Sequence, residues 1–457
     1  MGHSYRFFAT FLAGLVSISW SMADGLDGQK FALESSRTTD SLDRVDASLE
    51  VSGEVHVLNE SSELQKLKLA VLANLQYDER SLLVSVSPKA PMRSVRHYEK
   101  ALAAIEVDEQ EMHPSLRDDR RMIAVDADEK KAILYSPVGP LGHDELDLAD
   151  LQANTLILDR LLPPYRVAIG DSWKQSDELV GLLLGLDAVS SSQVTSEISS
   201  VENSVALVEM SGDVQGAIHG VSTEIRIRSK YQFDLRVKRI TWFGMLLQEK
   251  RSVGHVGPGL DVIARLQVKI APIEESPHLT DAALKGLTLD SAEAGSWLSY
   301  ESISGEWRLL NDRRWFVTSD DPKAAVLRMI DGGEFIAQCN VSSLPQVDAE
   351  KLPSLSKFQE DIQAGLGESF GQFISAKQET NELGYRVFRV VVDGKASEVP
   401  IQWIYYLVAD KNGRQLSMVF VVEAELVERL GGADEQLASA VEFVDRTTAA
   451  LPTLAPQ

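Results

Sequence analysis

The chain of 457 residues contains a single cysteine, Cys339, so it cannot form an internal disulfide bond. Phe335, Ala337 and Cys339 alternate along Phe335–Val341, which predicts a strand with a small buried Cys339 rather than a reactive thiol. Apolar residues make up 44% of the chain. A chain of this length can therefore be stabilised by its hydrophobic core alone.

Histidine is also scarce, and its spacing does not match that of a metal site. No two histidines lie within two to four residues of each other, and no His-Glu-x-x-His motif occurs. The Asp126–Glu129 stretch begins like a calcium loop but lacks the required glycine. No Gly-x-Ser-x-Gly motif occurs, and Gly257–Gly259 lacks the third glycine of a dinucleotide loop. The sequence predicts no metal, no cofactor and no catalytic residue, and it favours a role other than catalysis.

The charge balance is strongly acidic, with 45 Lys and Arg against 68 Asp and Glu, for a net charge of −23. Such a surface repels nucleic acids and anionic membranes. We therefore expect no nucleic-acid partner.

The N-terminal residues have the layout of a secretory signal. Arg6 precedes an apolar run over Phe7–Trp20, and the small residues Ser21 and Ala23 frame a cleavage site. The run is shorter than the roughly 20 residues that span a bilayer. We predict a signal peptide over residues 1–23, export to the periplasm or the extracellular space, and no membrane span after cleavage.

Alternating apolar residues predict strands through most of the remaining chain. A flexible leader is expected over residues 24–44, and a curved antiparallel sheet with one helix, at 145–162, over residues 45–271. Pro272 and Pro277 mark a linker over 272–292, and a second domain follows over 293–450. The predicted fold class is α+β, with an α/β sandwich around an antiparallel sheet as the second domain.

The order of elements in residues 297–448 resembles the PsbP/Mog1-like fold. The segments that carry the resemblance are the strand Phe335–Val341, the helix Leu355–Leu366, the meander Tyr385–Phe420 and the helix Asp434–Val444. The resemblance implies an accessory or scaffolding role without a shared active site, so it assigns no functional residue.

In the N-terminal half, the Val-x-x-Gly-Asp-x-Trp stretch at Val167–Trp173 is similar to one in uncharacterised exported bacterial β-domains. Taken by itself, it predicts a turn at Gly170 followed by a strand that buries Trp173.

Two groups of apolar residues are candidate binding surfaces. Trp297, Trp307 and Trp315 could stack on a ligand or anchor a partner, or they could be buried aromatics that frame a sheet. Leu182, Leu183 and Leu184 could cap a hydrophobic cavity, or they could belong to a buried helical turn or strand.

These observations predict an exported, non-enzymatic envelope protein that binds or scaffolds an unidentified protein partner. One alternative is a carrier of an apolar ligand or lipid in a cleft of the N-terminal sheet near Leu179–Leu186. A second alternative is a hydrolase whose site is assembled from scattered residues.

Overall fold

The computed structural model describes residues 28–59, 61–85, 87, 89–290, 295, 297–348 and 351–445. The predicted signal peptide lies outside the described residues. Within the described part of the predicted leader, Phe31 forms a β-bridge with Val167, and Leu33 is buried.

The largest sheet has thirteen antiparallel strands, drawn from residues 42–273. Its strands are β1 (Leu42–Leu58), β2 (Leu64–Leu83), β3 (Met92–Val107), β4 (Gln110–Met112), β5 (Met122–Ala127), β6 (Ala132–Tyr135), β8 (Ser172–Lys174), β9 (Ala188–Ser192), β10 (Thr195–Glu202), β11 (Val205–Ile218), β12 (Val221–Asp234), β13 (Arg239–Arg251) and β14 (Gly259–Ile273). They lie in the order β6-β5-β3-β2-β1-β14-β13-β12-β11-β10-β8, with β4 beside β3 and β9 beside β11. The first strand therefore lies inside the sheet, between β2 and β14.

Alternation along the strands gives this sheet a buried inner face and an exposed outer face. In β12, Ile225, Ile227 and Tyr231 are buried, whereas the alternating residues Glu224 and Arg226 are exposed. The sequence pattern of this strand is therefore reproduced residue by residue.

The inner face is covered by a segment of the same chain, residues 141–186, which we call the plug. Its buried side chains join one hydrophobic cluster with those of the sheet. Trp173 Nε1 and Tyr231 Oη, the latter from β12, both donate to the carbonyl of Leu161, at 2.9 and 3.3 Å. The plug therefore belongs to the core.

The helices of the described residues are short. They are α1 (His143–Ala149), α2 (Asp177–Leu184), α3 (Asp281–Leu284), α4 (Leu355–Leu366), α5 (Val427–Leu430) and α6 (Ala433–Ser439). Ser176, Thr280 and Ser354 cap α2, α3 and α4 through their side-chain oxygens.

The helix predicted over residues 145–162 is wrong beyond its first turns. It ends with α1, and only a 3-10 turn at Leu158–Leu161 follows. Ala153 has a φ of 56°, and the Asn154 side chain accepts the backbone N–H of Leu156 at 3.1 Å. Both features are incompatible with a continuous helix, so the apolar spacing reflects burial of an irregular chain.

The C-terminal half contains two further sheets. The seven-stranded antiparallel sheet has the order β17-β18-β19-β23-β22-β21-β20, and the four-stranded sheet has the order β24-β16-β15-β7. Their strands are β7 (Leu141–Gly142), β15 (Leu298–Glu301), β16 (Trp307–Asn311), β17 (Trp315–Asp320), β18 (Ala324–Asp331), β19 (Glu334–Leu344), β20 (Phe370–Thr380), β21 (Arg386–Ala396), β22 (Val399–Ala409), β23 (Gln415–Glu423) and β24 (Glu442–Phe443). Because β7 pairs in parallel with β15, the small sheet joins the two halves of the chain.

The predicted α+β class is therefore wrong. The protein is mostly β, built from three sheets, and its first sheet is large and carries both α1 and α2 rather than one helix. In the C-terminal half, α4 packs through Ile362 against Val390 and Val392, while the long strands supply most of the core. The predicted class gave too much weight to the helix at 145–162 and to the helices of the second domain, which are short beside the long strands.

Removal of a buried plug side chain should destabilise the whole protein. Leu158→Ala should lower the free energy of unfolding by about 2–5 kcal/mol, because Leu158 is only 1% exposed and its loss leaves a cavity. Denaturant titration measures this change. Leu310→Ala, at a residue 38% exposed, is the control and should cost far less; equal losses would contradict a packed plug.

Candidate functional site

Beneath the inner face of the large sheet lies a network of buried polar groups. Glu79 accepts from Arg96 Nε and from Ser94 Oγ, each at 2.8 Å, and from Thr155 Oγ1 at 2.7 Å. Arg96 also donates to the side-chain oxygen of Asn154. Burial would raise the pKa of Glu79, but Arg96 and Arg37 outweigh it and lower the pKa to about 2.

A second group of buried charges adjoins the first. Asp43 on β1 pairs with Arg37 at 3.5 Å and with Arg239 on β13. Arg37 also donates to the carbonyl of Thr155 at 3.0 Å and lies 3.5 Å from Asp159. The two groups together connect the residues before β1, the plug and four strands of the sheet, β1, β2, β3 and β13.

This network is not accessible to a substrate. Arg37, Asp43, Glu79, Arg96 and Arg239 are at most 7% exposed, and the Asp159 side chain is 15% exposed. The cavity beside Arg96 and Asn154 has a volume of about 20 Å³. Such a volume suits about one water molecule. The Asn154 Nδ2 group has no hydrogen-bond partner among the residues that the structure describes and would suit that water. We assign the network a structural role.

The tryptophans and leucines predicted as binding surfaces lie apart, in different halves of the chain. Trp307 and Trp315 are 3% and 1% exposed, within the C-terminal core, and Trp297 is partly exposed. Trp307 Nε1 donates to Ser343 Oγ at 3.1 Å, which satisfies its polar group inside the core.

The three leucines lie on α2, and they contact the core of the large sheet. Leu183 and Leu184 are buried, and Leu182 is partly buried. Cys339 is fully buried as well, and burial raises the pKa of its thiol.

A cleft of about 530 Å³ opens where the two halves of the chain meet, and it combines cationic, aromatic and backbone groups. We call it the interdomain cleft. The N-terminal half contributes Asp187 and the β11–β12 turn, and the C-terminal half contributes residues around β17 and the β18–β19 turn. Its principal lining residues are Asp187, His219, Gly220, Arg313, Arg314, Phe316, Gly332 and Gly333.

Two hairpin turns touch at the wall of this cleft. Gly220 has a φ of 76°, and a Cβ atom there would lie 1.7 Å from the carbonyl oxygen of Gly333. Glycine is therefore required for both the turn and the approach of the two backbones. Beside it, the His219 ring lies 4.4 Å from that of Phe316.

The charges of the cleft are held by neighbouring groups. Arg314 Nη2 donates to Asp312 Oδ2 at 2.7 Å, and Arg313 donates to the carbonyl of Leu134. Burial lowers the pKa of His219, and Asp187 partly offsets this shift, so the imidazole is neutral at pH 7. The lining thus contains two guanidinium groups and one carboxylate, Asp187, while Asp312 pairs with Arg314 from outside the lining. The remaining guanidinium donors suit an anionic group of a ligand.

Further contacts join the two halves of the chain outside the lining of the cleft. His143 Nε2 lies 3.2 Å from Asn311 Oδ1, and the His255 ring stacks on Phe335 at 4.9 Å. Arg328 donates to the carbonyl of His255 at 2.6 Å. These contacts and the β7–β15 pair link the N-terminal and C-terminal halves of the chain.

No local sequence pattern points directly to this site. Asp187, His219 and Arg313 are distant along the chain, and no motif links them. The Arg313-Arg314 pair in an acidic chain was the feature that could have drawn attention to it.

Within the part of the chain that the structure describes, no group of three or more His, Cys, Asp or Glu side chains could hold a metal ion. No helix of those residues has the length and apolar character needed to cross a bilayer.

Comparison with known proteins gives a limited result. No protein-family model and no curated protein matches the chain. Among solved structures, cyanobacterial PsbP from Synechocystis sp. PCC 6803 is similar to 33% of this chain and 93% of its own, with 13% identity and a TM-score of 0.26. A Pseudomonas aeruginosa protein of unknown function, described as a putative regulator, is similar to 35% of this chain and 100% of its own, with 10% identity and a TM-score of 0.22.

The predicted PsbP-like resemblance is confirmed in part, because a PsbP structure is similar to a third of the chain. At these TM-scores the similarity carries no argument about function. The resemblance stated for Val167–Trp173 stays a prediction.

The buried network predicts a defined response to acid. Because the pKa of Glu79 falls from 4.5 to about 2 on folding, its ionised form stabilises the protein fully above pH 4.5, and this contribution is lost as the pH falls toward 2. Glu79→Gln should lower the free energy of unfolding at pH 7 by about 3–5 kcal/mol. The deficit relative to wild type should shrink as the pH falls through that window.

Denaturant titrations between pH 2.5 and 7 measure this dependence. Glu224→Gln, at an exposed position on β12, is the control and should leave the stability at pH 7 unchanged. A deficit for Glu79→Gln that does not vary with pH would contradict an ionised Glu79.

Proposed function

We propose that the protein is an exported, non-enzymatic envelope protein that binds a protein partner, and that the interdomain cleft receives an anionic group of that partner. The signal-like residues 1–23 support export. The observation that carries the proposal is the convergence of Arg313, Arg314 and Phe316 with the β11–β12 turn in one cleft. Clefts between domains are common binding sites.

The charges of the cleft favour binding over catalysis. His219 and Asp187 are neighbours, but the carboxylate accepts from the backbone N–H of His219. It therefore does not orient the imidazole as in a catalytic triad. The buried Glu79–Arg96 network is enclosed, so it offers a substrate no access. No observation here favours the hydrolase.

A carrier of an apolar ligand or lipid is the second candidate. Its support is a set of inner-face side chains that are only partly buried, beyond the part covered by the plug; they include Val51, Leu69, Val71 and Ile105. Native mass spectrometry of the purified protein tests this candidate. A protein that never co-purifies with a lipid would speak against it.

The cleft is tested by capture of partners from envelope fractions. Arg314→Ala should reduce capture of the specific partner at least about tenfold, because a hydrogen bond to a charged group contributes about 1.5–3 kcal/mol. Quantitative mass spectrometry of the captured proteins measures the loss.

Arg308→Ala is the matched control. Arg308 is also a partly exposed arginine of the C-terminal half with one acidic partner, Glu442, but it does not line the cleft. Its capture should equal that of wild type, and thermal unfolding should confirm that both variants fold. Equal capture by the Arg314 and Arg308 variants would overturn the assignment of the cleft.

A further inference from the structure

A second recess lies on the outer face of the large sheet. It differs from the interdomain cleft because it is formed by strands alone. It runs across β11, β12, β13 and β14 and has a volume of about 510 Å³. We call it the outer groove. Its strands are all interior to the sheet, so each is hydrogen-bonded on both sides.

A tryptophan forms the floor of the groove because its neighbour has no side chain. A Cβ atom at Gly244 would lie 2.4 Å from the Trp242 indole, so the ring lies along β13 over the glycine. Trp242 is partly exposed. The strand therefore presents a flat aromatic surface to solvent instead of a row of upright side chains.

Cations border this surface. Lys230 lies opposite Gly244, and Arg228 lies opposite Leu246, which in turn lies opposite Arg265. Lys230 pairs with Glu209 at 2.8 Å, and Arg265 pairs with Glu50 at 3.4 Å.

Arg228 differs from these two cations, because it has no ion-pair partner among the residues that the structure describes. It is exposed in the groove. Acidic residues outnumber basic ones in this chain, with a net charge of −23, so an arginine without an acidic partner in the same groove as an indole is unusual.

We propose that the outer groove binds an acidic polysaccharide. The Trp242 indole would stack on the apolar face of a sugar ring, and Arg228 would bind a carboxylate of the sugar. Ser211 and Gln267, which also line the groove, supply hydroxyl and amide groups for sugar hydroxyls. The open, shallow shape suits a polymer that extends beyond the site.

An acidic peptide fits this surface less well. Extended peptides bind by adding a strand to a free sheet edge, and β11–β14 offer none. The floor is also a single flat ring, without the separate pockets that select alternate side chains of a peptide.

Titration of the full protein with polygalacturonate tests the proposal, with neutral dextran and polyglutamate as comparison polymers. Trp242→Ala and Arg228→Ala should each weaken binding of polygalacturonate at least about tenfold. Gly244→Ala should weaken it as well, because the added Cβ displaces the indole without removing it.

Arg226→Ala is the matched control, since Arg226 is exposed on the same strand but pairs with Asp213 and lies outside the outer groove. It should bind like wild type, and Arg314→Ala should too, which separates this inference from the proposed function. Thermal unfolding checks that each variant folds. No binding of polygalacturonate, equally tight binding of dextran or polyglutamate, or unchanged binding by Trp242→Ala would each overturn the proposal.

Discussion

The fold depends on the neutralisation of charges that lie beneath the large sheet. Glu79, Arg96 and Asp43 project from β2, β3 and β1 into the core, where an unpaired charge would cost several kcal/mol. Their partners come from elsewhere in the chain: Arg37 precedes the first strand, and Thr155 belongs to the plug. The sheet, the plug and the N-terminal described residues must therefore assemble together. Hydrophobic contacts alone would allow the plug several positions on the sheet. The polar contacts of Asn154, Thr155 and Asp159 with the buried charges select one of them.

The sequence predicted those elements that local pattern determines. The alternation in β12 predicted a strand with one solvent-exposed face, and the apolar stripe of α4 predicted the bounds of that helix. Both predictions are confirmed because neither element depends on distant residues. Local pattern did not predict the backbone of the plug. Its leucines recur at helical spacing, yet the backbone leaves the helical conformation at Ala153, and Asn154 Oδ1 accepts the backbone N–H of Leu156 instead. Burial of an irregular chain and burial of a helix leave the same pattern in the sequence.

The candidate sites were beyond the reach of local pattern for a different reason. Asp187 and His219 lie together within the N-terminal half, but Arg314 joins them only because the C-terminal half docks on the turns of the first sheet. Gly220 and Gly333, which touch in this contact, look in the sequence like ordinary turn residues. The tryptophans illustrate the converse problem. Trp307 and Trp315 attract attention in the sequence but are buried, while Trp242 lies unremarked in an alternating strand and faces solvent.

The position of β1 also governs how the chain can assemble. Because β1 pairs with β2 along its full length on one side and with β14 over residues 42–56 on the other, the large sheet stays in two parts until residues 259–273 have been synthesised. Contacts over such a sequence separation slow folding, since the loop between the strands must close before they form. A nascent or truncated chain that stops short of β14 would leave one edge of β1 open. That exposed edge could recruit a strand from another molecule, so premature termination would favour aggregation.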